Sequence, residues 1–141
     1  MQDNIERFMV SQKALLIRDD KCLIIECADK PNVWEFPGGR VDKFENGPEA
    51  FKREIKEELG FNNFENLGSF DYEIWYTKKS KKPVCLIAIL IKNQKDNIKL
   101  SKEHTSLKWI TKEEANKYEF ASPGIVRIIK NGFKYKKLLE K

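Results

Sequence analysis

Apolar and polar positions along the chain change period several times, and each change marks an element. Residues 10–18 alternate and then run apolar, and 22–27 form a second short apolar stretch. Asp19-Asp20-Lys21 between them reads as a hairpin turn. Residues 34–39, Trp-Glu-Phe-Pro-Gly-Gly, are extended and then turn sharply. The period next becomes helical: Phe51, Ile55 and Leu59 recur at i, i+4, i+8, on one face at about 100° per residue. Asn46 or Gly47 caps this helix, Pro48 fits its first turn, and Gly60 suits a left-handed exit. Two longer strands are predicted at 68–77 and 84–92, with the lysine-rich segment 78–83 between them, and shorter ones at 98–100 and 107–110. Thr111-Lys112-Glu113-Glu114 is a capping box that opens a short helix. Ser122-Pro123 opens a final helix, which Gly132 is expected to end. Strands with helices inserted at intervals, without repeats or a linker, predict an α+β layered domain occupying 1–141 as a single unit.

Composition narrows the class. A chain of 141 residues is long enough for a useful core, and 40% hydrophobic with 35% charged residues predicts a soluble globular protein. No apolar run approaches a membrane span, and residues 1–8 lack the apolar stretch of a signal peptide, so the expected location is cytoplasmic. Cys22, Cys27 and Cys85 have no metal-ligand spacing and read as buried thiols of a reducing compartment. The net charge of +5 favours a polyanionic partner. Without a recognition motif that charge does not by itself indicate nucleic acid.

The densest chemistry lies at residues 39–61, G-R-V-D-K-F-E-N-G-P-E-A-F-K-R-E-I-K-E-E-L-G-F. Five glutamates fall here, at 45, 49, 54, 57 and 58, with Arg53 among them. Glu54, Glu57 and Glu58 cluster on an arc beside the apolar face, while Lys52 and Lys56 point elsewhere. Three carboxylates on one helical arc repel each other. A divalent cation supplies the reason to gather them: hard oxygen ligands suit Mg²⁺ or Mn²⁺, and Mg²⁺ is commonly shared with substrate phosphates.

That stretch resembles the Nudix box, G-x5-E-x7-R-E-U-x-E-E-x-G-U, where U is a bulky aliphatic residue. Gly39, Glu45, Arg53, Glu54, Ile55, Glu57, Glu58 and Gly60 fit, and Phe61 departs by being aromatic. The resemblance implies the Nudix fold, a mixed β-sheet sandwiched between α-helices, and hydrolysis of nucleoside diphosphates linked to another moiety. It implies Mg²⁺, with Mn²⁺ as a substitute, held chiefly by Glu57 and Glu58. Glu54 is then a further ligand or the group that takes the proton of the attacking water. Gly38 or Gly39 gives a backbone carbonyl to the same metal, where glycine suits a tight turn. Arg53, at i, i+4 from Glu57, orients a carboxylate by paired hydrogen bonds. Glu45 is an outer ligand or supports the inner ones. Outside the box, Glu103 is the next candidate for the metals, and its neighbour His104 reads as a structural hydrogen-bonder.

Substrate contacts are expected from Arg40 to phosphate, and from Trp34 or Tyr76 by stacking on a base. Ser122 stands where MutT-like guanine readers place an asparagine. The Trp-x-Phe-Pro-Gly-Gly entry resembles MutT-like nucleoside triphosphate pyrophosphohydrolases. The Ile74-Trp75-Tyr76-Thr77 stretch and Leu100-Ser101-Lys102-Glu103-His104 are similar to diadenosine tetraphosphate hydrolases. (Deoxy)nucleoside triphosphates are therefore the expected substrates, dinucleoside polyphosphates the alternative, and a non-catalytic nucleotide sensor the contrasting class. The expected partner is a nucleotide, without a membrane. An RNA end is the one nucleic acid considered, and the oligomeric state is left open, a homodimer included.

Overall fold

A computed structural model describes residues 4–104 and 106–141. In chain order the elements are β1 (Met9–Arg18), β2 (Lys21–Glu26), β3 (Val33–Glu35), β4 (Gly38–Arg40), α1 (Gly47–Leu59), β5 (Glu65–Tyr76), β6 (Pro83–Lys92), β7 (Leu107–Ile110), β8 (Glu119–Phe120) and α2 (Ile125–Leu139). A 3₁₀ turn, Glu114–Lys117, lies between β7 and β8. The strands join in one mixed sheet ordered β5-β6-β1-β2-β3-β8, with β4 on β1 and β7 on β2.

β1 is the branch point of this order. It runs parallel to β6 from Met9↔Val84 to Leu16↔Ile91, takes β4 antiparallel at residues 11–13, and meets β2 at Ile17↔Cys22 and Arg18↔Lys21. Its apolar run reflects burial on both sides. Leu15 and Ile17 join the core under α2, with Ile125, Ile128 and Ile129. Ala14 and Leu16 join the core under α1, with Phe51, Ile55 and Leu59. The sheet thus lies between two helices. Each buried side chain of the α1 triplet contributes about 1.5–3 kcal/mol. Phe61 is buried in the same cluster, so the aromatic ring does the packing work of an aliphatic one.

Local signals explain the ends of α1. The Asn46 side chain accepts from the Glu49 N–H at 2.9 Å, and Gly60 closes the helix at φ +86° with its N–H on the Lys56 carbonyl. The capping box closes reciprocally: Thr111 N donates to the Glu114 carboxylate at 2.9 Å and Glu114 N to Thr111 Oγ1 at 3.2 Å.

Two expectations are corrected. Gly132 does not end the last helix; it sits buried within α2. A Cβ there would collide with Leu15 and come within 3.0 Å of the Phe70 ring, so this glycine permits close helix–sheet packing. Residues 98–100 form no strand. Lys99 N instead donates to the Leu59 carbonyl at 2.8 Å, which fastens the segment to the end of α1.

Candidate active site

Two bare positions bring β4 against its neighbours. Gly38 has φ +133°, and a Cβ on it would strike the Gln12 carbonyl and lie 3.0 Å from Lys13 Cα. A Cβ on Gly39 would strike the Glu54 carboxylate. β4 therefore touches β1 on one side and receives a helix carboxylate on its backbone on the other. Beside it opens a cleft of about 570 Å³, lined by Lys13, Ala28, Asp29, Glu35, Gly38, Gly39, Arg40, Asp42, Glu54, Glu58, Glu103 and His104.

Arg53 organises the outer wall. Its Nε and Nη2 each donate to one oxygen of Glu45 at 2.7 Å, a forked pair. Nη1 donates to Glu54 at 3.0 Å and to Glu57 at 3.4 Å, and Asp42 lies 3.3 Å from Nη2. The Arg53 fork, helped by the Asp42 N–H, holds the Glu45 carboxyl down at about 2. In return Glu45 raises the guanidinium further above its ordinary value. The strongest partner of Arg53 is thus Glu45, on the loop before the helix, rather than Glu57 one turn on.

The inner wall is buried. Glu58 Oε1 accepts the Gly38 N–H at 2.7 Å, and Oε2 lies 3.5 Å from His104 Nδ1. His104 Nε2 contacts Glu35 at 3.2 Å, and Lys13 Nζ donates to Glu35 at 3.1 Å and to the Gly38 carbonyl at 3.3 Å. Burial raises the Glu58 carboxyl above the ordinary range, against the pull of the Gly38 N–H. Burial pushes Glu35 up too, but hydrogen bonds from His104 and Lys13 outweigh it and bring that carboxyl to about 2. The Glu35 contact raises His104.

The fold brings Gly38, Gly39, Arg40, Glu54, Glu58 and Glu103 to one cleft. Arg53 stands behind it. Glu57 is on the solvent side, 55% exposed, reached by Arg53. Trp34 is buried edge-on against Tyr118, with Lys108 over its ring, and borders a different cleft. Tyr76 is exposed at the far end of β5, where its hydroxyl contacts Glu6. Ser122 follows β8 and lines none of this cleft. Lys13, Glu35, Asp29 and Asp42 line it without having been singled out from the sequence. Two signals were there: Lys13 is a lone charge entering an apolar strand, and Glu35 a lone charge between Trp34 and Phe36, both buried.

Among the described residues no three His, Cys, Asp or Glu side chains form a ready metal cluster. Their carboxylates are engaged by Arg53, the Gly38 N–H and His104. The donor set still fits a hard cation. Among the described residues lining the cleft, the polar side chains offer oxygen and nitrogen groups and none is a thiol, and the bare Gly39 cradles a carboxylate where a Cβ would stand.

The NUDIX domain family matches residues 8–131. The chain belongs to the Nudix family. An 8-oxo-dGTP diphosphatase of Buchnera aphidicola subsp. Schizaphis graminum is 34% identical over 112 residues, 77% of this chain and 82% of the relative. The asymmetrical bis(5'-nucleosyl)-tetraphosphatase of Mus musculus is 32% identical over 66% of this chain and 65% of its own length. An RNA pyrophosphohydrolase of Sulfurovum sp. is 41% identical over 59 residues, and there the match spans only 38% of the relative and 40% of this chain. Among solved structures, a C. elegans Ap4A hydrolase binary complex superposes with TM-score 0.75 at 22% identity, over 92% of this chain and 98% of the other, a likeness of fold. The sheet between two helices is the Nudix fold. Membership and the named relatives make the chain a hydrolase of phosphoanhydride bonds. No helix among the described residues is long and apolar enough to cross a membrane.

Proposed function

We propose that this Nudix hydrolase is a Mg²⁺-dependent pyrophosphohydrolase of (deoxy)nucleoside triphosphates, releasing a nucleoside monophosphate and pyrophosphate. One observation carries the reading: Glu54, Glu58 and Glu103 share a single cleft with Gly38, Gly39 and Arg40. Glu54, Glu57, Glu58 and Glu103, with the carbonyl of Gly38 or Gly39, are the residues that would hold Mg²⁺ or Mn²⁺. A divalent ion there supplies neutralisation of phosphate oxygens and acidification of a water. Arg53 keeps Glu54 and Glu57 oriented by charge-assisted hydrogen bonds. Glu54 accepts Arg53 on Oε1, which leaves Oε2 either to join the metal or to take the proton of the attacking water. Arg40 donates to the polyphosphate. Contacts of the base with Trp34, Tyr76 or Ser122 require the nucleoside to extend beyond the glutamate cleft.

The reading is tested by incubating the chain with Mg²⁺ and a panel of nucleoside triphosphates, 8-oxo-dGTP, dinucleoside tetraphosphates and 5'-triphosphorylated RNA. The expected products are nucleoside monophosphate and pyrophosphate. Likeness to the mouse tetraphosphatase favours a second reading, asymmetric cleavage of a dinucleoside polyphosphate. It is distinguished by a mononucleotide product accompanied by a nucleoside triphosphate. Nucleotide binding without turnover of any substrate would replace both with a sensor.

A further inference from the structure

Resting on that reading, we propose that Lys13, Glu35 and His104 are positioning residues that lock the Gly38 peptide, the Glu58 carboxylate and the segment 101–104 into one unit. The polar contacts close on themselves. Gly38 N–H reaches Glu58, Glu58 reaches His104, His104 reaches Glu35, Glu35 reaches Lys13, and Lys13 returns to the Gly38 carbonyl. Both backbone polar groups of Gly38 are therefore held, the N–H of the peptide before it by a carboxylate and the carbonyl of the peptide after it by an ammonium. The five contacts join β1, β3, β4, α1 and the loop before β7, which no local signal could bring together.

The chemistry of each member suits this use. Both ring nitrogens of His104 face carboxylate oxygens, with Ser101 Oγ also 3.2 Å from Nδ1. A single imidazole thereby bridges Glu35 and Glu58, two like charges that would otherwise repel. The His104 side chain is only 5% exposed, so it cannot satisfy those nitrogens with solvent. Lys13 is 14% exposed and pairs directly with Glu35. Removing one partner leaves a buried charge uncompensated, which frees its neighbours to rearrange.

The unit also governs Glu103. That residue is exposed on the cleft, and its immediate neighbour His104 is buried in the ring. His104 is thus the anchor through which an otherwise irregular segment presents Glu103 beside Glu58. Lys13, Glu35 and His104 need not touch substrate; they act through Glu58, Gly38 and Glu103.

The test uses the full chain carrying Lys13→Met, Glu35→Gln, His104→Gln, His104→Ala or the double change Glu35→Gln/His104→Gln. Three quantities are read: Mn²⁺ affinity by electron paramagnetic resonance, exchange of the Gly38 amide by NMR, and kcat and KM for a nucleotide that the wild type hydrolyses. Each single change should lower Mn²⁺ affinity and kcat about 10–100-fold, as loss of a residue supporting a ligand does. KM should stay within roughly threefold, because substrate contacts are untouched. The Gly38 amide should exchange at least about tenfold faster as its Glu58 acceptor loosens. The double variant should be no worse than its poorer single, because both changes open the same ring. His104→Gln should retain more than His104→Ala, since an amide keeps one donor.

Wild-type Gly38 exchange and Mn²⁺ affinity in every variant would overturn the proposal. So would losses that multiply in the double variant. If Lys13→Met fails to fold, Glu35→Gln, which changes one oxygen to an amide nitrogen, carries the test alone. If the wild type hydrolyses no nucleotide, the proposed substrate fails, and the ring is then judged on Gly38 exchange and Mn²⁺ affinity.

Discussion

Glu57 and Glu58 are adjacent in sequence and belong to different surroundings. One residue along α1 is a rotation of about 100°, and it carries Glu57 out toward Arg53 while Glu58 turns in toward Gly38 and His104. Side-chain exposure drops from 55% to 10% between them. The outer wall is held by a half-buried guanidinium at the solvent edge that already serves Glu45, Glu54 and Glu57. Pairs at such an edge exchange partners at little cost. The inner wall is held by contacts centred on the buried Glu58 and His104, and there rearrangement is expensive. One helix therefore offers a carboxylate free to re-aim and a carboxylate fixed in advance. A site that must receive an ion and a polyphosphate and then release products has use for both.

The sharpest way to break this comparison is at the carboxylates themselves. Glu54→Gln and Glu57→Gln should each lower kcat by roughly 10²–10⁴-fold while leaving the melting temperature near that of the wild type. Full turnover in Glu57→Gln would mean that the outer wall plays no part in holding the metal. Next in size is Gly39→Ala. The added methyl strikes the Glu54 carboxylate, and a displacement near 1 Å can cost about 10²-fold in kcat. A crystal structure of that variant with Glu54 unmoved would refute the account.

Acid tests one support of the inner wall when the wild type is compared with a variant at Glu35. The Glu35 carboxyl lies at about 2 in the folded protein, below its ordinary 4.5. A depressed carboxyl contributes stability that is present above its unfolded value and lost as pH falls from about 4.5 to about 2. Its contribution near neutral pH is on the order of 3 kcal/mol. Melting temperature measured from pH 6 down to pH 2 should therefore fall more steeply for the wild type than for Glu35→Gln. Parallel curves would show that Glu35 is not held as described. The smallest effect is expected at Arg53→Lys, which loses the fork onto Glu45. Thermal stability should stay within roughly 3 °C, since the pair is only half-buried and lysine keeps the charge, while kcat drops about tenfold through misaligned carboxylates. A large loss of stability would place Arg53 among the buried supports instead.

Much of this was legible in the chain, for identifiable reasons. α1 could be read to within a residue at its start, Asn46 or Gly47 being offered as cap, because its cap, proline, apolar spacing and exit glycine are all local. The carboxylates of 54 and 58 and the glycines of 38 and 39 meet because a short strand and the following helix keep them close in sequence. Gly132 misled because its surroundings are tertiary: the backbone alone suggests a stop, whereas Leu15 and Phe70 demand a bare position. The two-residue β8 was missed because it exists only through its parallel pairing with β3. Lys13 and Glu35 were missed because their meaning depends on His104, about seventy residues after Glu35. Trp34 is a different case. Its position beside the glycines suggested a stacking platform, yet strand alternation turns its ring to the α2 core while Glu35 faces the cleft.

The parallel pairing of β1 with β6 bears on how the molecule is made. Met9 aligns with Val84 and Leu16 with Ile91, so β1 leaves the ribosome well before the strand it lies alongside. Until then the apolar run of β1 has only its hairpin partner β2 and the short β4 to occupy it. Closure over such separations slows folding and lengthens exposure of sticky strands. Newborn chains should thus lean on chaperones until β6 has been synthesised, and truncations that stop before it should aggregate rather than fold.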